Sequence, residues 1–231
     1  MTLRLVTYNI HGGRGIDGIQ NYQRIGRFLA SRKVDIALLQ EMDTRPRRRE
    51  TEQDIVDLCQ AHFSHLIPSP AVYSAHGWYG NALLTRFPVV FSQTIDVSQF
   101  GRQPRNIQEV ILNTPEGQLH VLNTHKGLRR IERREQIKKL GMHLQQPTVI
   151  PVVVGGDFNE WQLFSPYLHR LNEVLTPHPV GPTFPTRWPL LRLDRFWSRP
   201  GNLVQSARVL KTPETRLYSD HYPIELNIIL E

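Results

Sequence analysis

Five apolar runs in this chain end in carboxylate, carboxamide or imidazole groups: Asn9-Ile10-His11, Gln40-Glu41, Thr124-His125, Gly156-Asp157-Phe158-Asn159 and Ser219-Asp220-His221. Singly, each is ordinary. A polar residue after a strand is commonly a turn or a helix cap, and Asn159 could cap a helix that begins near Trp161. Together they point to one chemistry, because strands that set acids and histidines along one sheet edge build a hydrolytic site on a rigid scaffold. The residue types suit phosphoryl transfer. Hard carboxylate and carboxamide oxygens select Mg²⁺, or Mn²⁺, over zinc. An Asp that orients water, fixed by an Asn, supplies a nucleophile. A His beside an Asp can be cationic and meet the charge that grows on phosphate in the transition state.

The overall charge favours an anionic partner. The 231 residues carry a net charge of +7, and 23 of the 28 basic residues are Arg. The planar guanidinium fork matches phosphate oxygens better than an ammonium does. The bland alternative is a genome with high arginine usage, which makes a basic protein for no functional reason. At 39% hydrophobic and 21% charged the chain reads as globular, not disordered. The lone Cys59 excludes an internal disulfide framework and a cysteine zinc cluster. No apolar run approaches the roughly 18 residues of a membrane span. The segment from Met1 to Val6 lacks the apolar core of a secretory signal. The expectation is a cytoplasmic protein, a monomer, with residues 1–231 as a single domain.

The elements that must position these groups alternate strand and helix. Leu3–Asn9 and Val34–Gln40 read as buried strands that run into the site, and Thr148–Gly155 as a third. Asn21–Arg32 has Tyr22, Ile25, Phe28 and Leu29 at helical spacing, and Thr51–Phe63 places Ile55, Leu58 and Cys59 inward. Asn81–Arg86, Val89–Val97, Ile107–Asn113 and Gln118–Asn123 read as consecutive strands, with Pro115-Glu116-Gly117 turning the last two into a hairpin. A helix over Ile131–Leu144 turns Ile137, Leu140 and Leu144 inward and Arg130, Arg133, Arg134, Lys138 and Lys139 outward. Trp161–Leu171 reads as helix, Pro177–Pro189 as loop, and Arg192–Ser198, Leu203–Val209 and Tyr222–Leu230 as closing strands. Antiparallel meanders beside βα alternation predict an α/β four-layer sandwich, with two central mixed β-sheets flanked by helices.

In this order, Leu5-Val6-Thr7-Tyr8-Asn9-Ile10, Leu39-Gln40-Glu41, Gly80-Asn81-Ala82-Leu83-Leu84-Thr85-Arg86, Thr124-His125, Gly156-Asp157-Phe158-Asn159, Leu193-Asp194-Arg195 and Ser219-Asp220-His221 resemble the motifs of the endonuclease/exonuclease/phosphatase superfamily, with its DNase I-like fold. Thr124-His125-Lys126-Gly127-Leu128-Arg129 and the stretch from Pro189 to Arg195 look like signatures of its small bacterial YbhP-type branch. The resemblance implies a Mg-dependent hydrolase of phosphoric ester bonds. It places Asn9 and Glu41, with Asp220, as metal ligands. It implies that His125 assists the leaving oxygen or holds phosphate, that Asp157 orients or deprotonates water, and that Asn159 fixes phosphate and Asp157. Asp194 would support His221, which would touch the scissile phosphate. Arg105 would contact phosphate, Asn81 would hold the site floor, and Arg129 would bind substrate. The chain departs from the family at His11, where some DNA-repair members carry Asp, and at His76-Gly77-Trp78-Tyr79, where DNase I carries an acid. His11 is read as a loop histidine.

The leading expectation is therefore a metal-dependent phosphoesterase, with a phosphodiester in nucleic acid, a phospholipid or a small molecule as substrate. The alternative is a non-catalytic anion- or nucleic-acid-binding module that keeps the fold. Arg45-Pro46-Arg47-Arg48-Arg49 either overhangs the site or is a solvated charge run. Trp188 either packs its loop or stacks on substrate. Cys59, on an apolar helix face, is core.

Overall fold

Alternation along the strands creates both the core and the site. In a strand, every second side chain faces the same way. In β1 (Thr2–Asn9) one face reads Leu3, Leu5, Thr7, Asn9, and in β2 (Ile36–Asp43) it reads Ile36, Leu38, Gln40. In β7 (Gly117–His125) the matching face reads Leu119, Val121, Asn123, His125, and in β8 (Val152–Asp157) Val153, Gly155, Asp157. Each series passes from apolar to polar as the strand approaches its end.

The computed structural model describes residues 1–45, 51–146, 148–162 and 164–230. The remaining elements, in chain order, are α1 (Tyr22–Ser31), α2 (Thr51–Cys59), β3 (His65–Ser74), β4 (Gly77–Thr85), β5 (Val89–Asp96), β6 (Asn106–Thr114), α3 (Arg130–Leu144), α4 (Pro166–Asn172), β9 (Thr176–Pro177), β10 (Asp194–Arg199), β11 (Val204–Val209), α5 (Pro213–Tyr218) and β12 (Ile224–Ile229). One six-stranded sheet runs β11-β12-β1-β2-β4-β3 and the other β5-β6-β7-β8-β10-β9. Each has a single parallel pair at its centre, β1 with β2 and β7 with β8, and antiparallel strands outside it.

Leu3, Leu5, Ile36, Leu38 and Leu83 of the first sheet pack against Val110, Leu112, Leu119, Val121, Val153 and Phe196 of the second. The outer face of the first sheet is covered by α1 and α2 through Tyr22, Ile25, Phe28, Leu29 and Leu58. That of the second is covered by α3 and α4 through Ile137, Leu140, Leu144, Leu168 and Leu171. The four-layer sandwich is thus helix, sheet, sheet, helix. Among the described residues no helix is long and apolar enough to cross a membrane.

Most predicted elements are present, with differences that have local causes. β2 extends past Glu41 through a bulge between Leu39 and Met42. The predicted helix 51–63 stops at Cys59 because Gln60 and Ala61 turn to φ 50° and 53°. β8 begins at Val152, not Thr148, since Pro151 has no N–H for the ladder. The helix predicted over Trp161–Leu171 forms only as Pro166–Asn172, capped by Ser165, whose side chain accepts from the Leu168 N–H. β3 and α5 lie outside the predicted elements. β3 carries Pro68 and Pro70, which an edge strand tolerates and a central one does not. Within the predicted Pro177–Pro189 loop, Phe184 bridges to Leu191 and makes a small hairpin. Arg133 corrects the outward basic face of α3: it is 1% exposed and its Nε lies 3.4 Å from Glu160 Oε2. Its guanidinium also lies 4.1 Å from the ring centre of Trp161. The other four cations do not break the inward apolar stripe, and Arg130 and Arg134 are exposed.

Candidate active site

The two parallel pairs end side by side, and their ends bring the site together. Asn9 Nδ2 donates to Glu41 Oε1 and to Asp157 Oδ2, both at 3.0 Å. Asp157 Oδ1 accepts the Asn159 backbone N–H at 2.9 Å, so both of its oxygens are held. His221 Nδ1 lies 2.8 Å from Asp194 Oδ2, and its Nε2 lies 3.8 Å from Asp157 Oδ2. His125 Nε2 stands 3.5 Å from Asp157 Oδ2 and 3.7 Å from Glu41 Oε1. The last three distances exceed a direct hydrogen bond. They leave two imidazole Nε2 atoms facing a shared carboxylate without a direct hydrogen bond to it.

Backbone strain aims these groups. By strand alternation Glu41 would point away from Gln40 and toward α1. Instead the bulge puts Glu41 at φ 60° and returns its carboxylate to the site. His11 and Asn159 also have positive φ, 47° and 49°. Such conformations cost about 1–3 kcal/mol each and cluster at functional sites. Asn159 does not cap a helix at Trp161; its Nδ2 donates to the Lys126 carbonyl at 2.9 Å and locks the ends of β7 and β8 together. Gly156 permits that approach, since a Cβ there would sit 1.9 Å from the Thr124 carbonyl oxygen.

Beneath the site lies a layer of buried amides. Gln40 Nε2 donates to Asn123 Oδ1 at 2.8 Å, and Asn123 Nδ2 donates to the Leu39 and Ala82 carbonyls and to Gln108 Oε1. These bonds tie the two sheets directly under Asn9, Glu41 and His125. Such a network, with its donors satisfied, makes one register of the sheets much better than its neighbours.

Burial and neighbouring charge set the protonation states. Burial raises the Asp157 carboxyl, with His221 opposing and Asp194 reinforcing the shift. Burial alone would lower His221, but Asp194 first and Asp157 second outweigh it and hold the imidazole well above its usual range. His125 goes the other way, pushed down by burial and then by the charges of Arg105 and His221. One imidazole is therefore held cationic and the other neutral.

The structure gathers Asn9, Glu41, His125, Asp157, Asn159, Asp194 and His221. Asp220 sits at the rim, with Oδ1 3.8 Å from His11 Nδ1, while Ser219 Oγ donates to the Asn9 carbonyl at 2.7 Å. Arg105 is buried with an unpaired Nε, near enough for its charge to act on His125 and Tyr79. Asn81 is buried but spends its amide on Asn106, at 2.9 Å to Oδ1, as a further tie between sheets. Arg129 is exposed at the start of α3. Of the 45–49 run only Arg45 lies among the described residues; it is bound to Asp43 and lies over the Tyr79 ring. Trp188 is 71% exposed, so it does not pack its loop. Cys59 is partly buried against the α1/α2 core.

The donor set fits a hard divalent cation. Glu41, Asp157, Asp194 and Asp220 outnumber the cationic His221 and Arg105, and the Glu41 side chain is 25% exposed to the cleft. Asn9 presents its nitrogen to Glu41 while its Oδ1 accepts the His11 N–H at 3.1 Å. To ligate through oxygen, the carboxamide has to turn over.

Two site residues were misread or missed in the sequence. Tyr79, which with Trp78 reads as an exposed aromatic pair suited to a phospholipid or small phosphodiester, is buried beside Glu41 and Arg105, and burial followed by the Glu41 charge pushes its hydroxyl up to about 12. It lies two residues before Asn81 on one strand, hence on the same face, and that spacing was the available signal. Phe184 packs on His221 with ring centres 4.7 Å apart. It comes from the 184–191 hairpin, and nothing in the local sequence announces it.

A family model described as the Endonuclease/Exonuclease/phosphatase family matches residues 6–221. The chain is 34% identical over 169 residues to the uncharacterized protein YbhP of Escherichia coli K12, covering 69% of this chain and 66% of that protein, just under two thirds of its length. In fold it is similar to the Bacteroides thetaiotaomicron mannosyl-6-phosphatase Bt3783, with TM-score 0.78, 18% identity and coverage of 98% of this chain and 99% of that one. It is also similar to Danio rerio TDP2 complexed with a single-strand DNA product, with TM-score 0.71, 16% identity and 99% coverage of both chains.

Proposed function

The chain belongs to the endonuclease/exonuclease/phosphatase family, and from that premise we propose that it is a Mg²⁺- or Mn²⁺-dependent phosphoesterase acting on a phosphodiester. One observation carries this reading. Asn9, His125, Asn159 and His221 converge on the Asp157 carboxylate, with a cationic imidazole on one side and a neutral one on the other.

The residues divide the work. Asp157, held at Oδ1 by the Asn159 backbone N–H, orients the attacking water for in-line displacement. His221, fixed through Nδ1 by Asp194, keeps Nε2 for a phosphoryl oxygen and stabilises the extra charge of the transition state. His125 offers its free Nε2 to a second phosphate oxygen or to the leaving group. Arg105, a buried guanidinium with an unpaired N–H, supports the same anion. Glu41 and Asn9, with Asp220 alongside, would hold the divalent cation, which when bound neutralises charge on phosphate and on the leaving oxygen.

Two surface features support a substrate class. Arginine dominance and the exposed Trp188, on a hairpin whose Phe184 touches His221, support an aromatic or extended phosphodiester over a bare phosphate. A polynucleotide would show a binding constant falling steeply with salt. The test is hydrolysis of bis-p-nitrophenyl phosphate with Mg²⁺ and Mn²⁺. A panel follows: plasmid DNA, RNA, abasic DNA, sphingomyelin, glycerophosphodiesters, inositol phosphates and sugar phosphates. Metal-dependent turnover is expected. A folded protein that turns over none of these with saturating metal would sink the enzyme reading and leave an anion-binding module.

A further inference from the structure

Away from the reaction centre, a second group of metal-type donors meets on the outer face of the second sheet. Glu109 of β6, His120 of β7 and His143 of α3 place one ligand atom each within 4.8 Å of one another. Glu109 Oε1 lies 2.6 Å from His120 Nε2 and 2.9 Å from His143 Nε2. Its other oxygen, Oε2, accepts from Gln93 Nε2 on the neighbouring strand, where Gln93 and Glu109 are register partners. Glu109 and His120 are nearly buried, while the His143 side chain is 20% exposed and opens the cluster to solvent. His120 precedes His125 by five residues on one strand, a span of roughly 17 Å. The cluster therefore stands well apart from the candidate catalytic residues.

We propose that Glu109, His120 and His143 form a second, non-catalytic metal site for a zinc-type divalent cation. Two imidazoles with one carboxylate make a borderline donor set that suits Zn²⁺ and its neighbours and is a poor match for Mg²⁺. Tetrahedral bonds of about 2.0–2.1 Å separate ligand atoms by about 3.3 Å. The cluster meets that by spreading Glu109 from His120 by about 0.7 Å and from His143 by about 0.4 Å, and one of its three ligands sits at a partly exposed helix end. Three observations support it beyond the grouping itself. Among the described residues the ion-pair partners of buried Glu109 are these two imidazoles. The Gln93 bond on Oε2 is the kind of outer contact that orients a ligating carboxylate. His143 lies in the last turn of α3, where the negative end of the helix dipole favours a cation. Bound there, the ion would clamp α3 onto β6 and β7.

Zn²⁺ titration of the metal-free protein by calorimetry, with Mg²⁺ in large excess, tests this. The wild type should bind one Zn²⁺ that the His143→Ala variant loses, with affinity falling by more than the about 10- to 100-fold that an outer-shell deletion costs. The wild-type melting temperature should rise with Zn²⁺, and that of the variant should not. Co²⁺ in place of Zn²⁺ should give the wild type, and not the variant, the visible absorption of a tetrahedral ion. Mg²⁺-dependent hydrolysis should be unchanged in His143→Ala. Glu109→Gln, which keeps the side-chain shape, serves as an independent second variant. Wild-type protein that binds no Zn²⁺, or variants that bind it as the wild type does, would overturn the assignment. The second result would place any bound zinc at the strand ends instead.

Discussion

At the strand ends, Asp157, Asp194 and His221 bring two carboxylates to one imidazole; beneath α3, Glu109, His120 and His143 bring two imidazoles to one carboxylate. The ratio decides the electrostatics. In the first cluster burial and Asp194 push Asp157 up, and the carboxylates lift His221. In the second, donors outnumber acceptors and Glu109 falls to about 2. A carboxyl that the fold raises destabilises the folded state when ionised, whereas one that the fold lowers stabilises it. In the first cluster Asp157 holds its charge against the preference of the fold, as functional carboxyls do, and in the second Glu109 holds its charge in agreement with it. Among the described residues, three of the six non-glycine residues with positive φ, His11, Glu41 and Asn159, adjoin the first cluster, and none belongs to the second.

The sharpest contrast should come from Asp157→Asn and His221→Ala. Each should lower kcat by on the order of 10²-fold or more with little change in KM. The double variant should lose less than the product, since both act on one phosphorus. Asp157→Asn should melt no lower than the wild type in metal-free buffer; a clearly lower melting temperature would remove the contrast. Glu41→Gly should abolish metal-dependent turnover while relieving the φ 60° backbone. A stability gain of about 1 kcal/mol by urea unfolding is expected, and a loss would show that the bulge is unstrained. Glu109→Gln should do the reverse, leaving kcat alone and costing about 1–3 kcal/mol, the worth of hydrogen bonds to a charged group. Its pH dependence sharpens the point. Because Glu109 is lowered from 4.5 to about 2, its contribution is complete above about 4.5 and is lost as pH falls through about 2. The metal-free Glu109→Gln variant should therefore show a flatter acid limb in denaturation curves between those values. Trp188→Ala, at a 71% exposed position, should change stability by less than about 0.5 kcal/mol. Its effect should appear as a modest rise in KM for polymeric or aromatic phosphodiesters.

Much of the architecture could be read before the coordinates because the inner strand faces announce themselves. Leu3-Leu5-Thr7-Asn9 and Leu119-Val121-Asn123-His125 alternate cleanly with outward residues, and their polar ends lie where the site forms. β3 was illegible because Pro68 and Pro70 argue against a strand until it is known to lie at an edge. Glu41 could be chosen as a site residue but not aimed, since the alternation of its strand points it the wrong way and only the bulge corrects it. Arg133 fits an outward helical position by periodicity, yet Glu160, far away in sequence, draws it inside. The Glu109 cluster was invisible for a related reason. Its three residues come from two strands and a helix, at spacings that match no local ligand motif. Composition and period report on neighbours along the chain, and these features depend on neighbours across it.

The two parallel pairs carry a further consequence. Asn9 and Glu41 come from one sheet, and His125 and Asp157 from the other, so neither sheet owns a complete reaction centre. Their separation is fixed by whatever fills the space between the sheets, chiefly Leu3, Leu5, Leu38, Val121, Val153 and Phe196. These side chains work as a gauge block: their volume sets the opening of the jaws above them. A methylene removed from Leu5 or Val121 is then felt twice, once as lost cohesion and once as a mis-set reaction distance, where an error of about 1 Å can cost on the order of 10²-fold in rate. The calibration of such a site resides as much in the hydrocarbon beneath it as in the acids and imidazoles that form it.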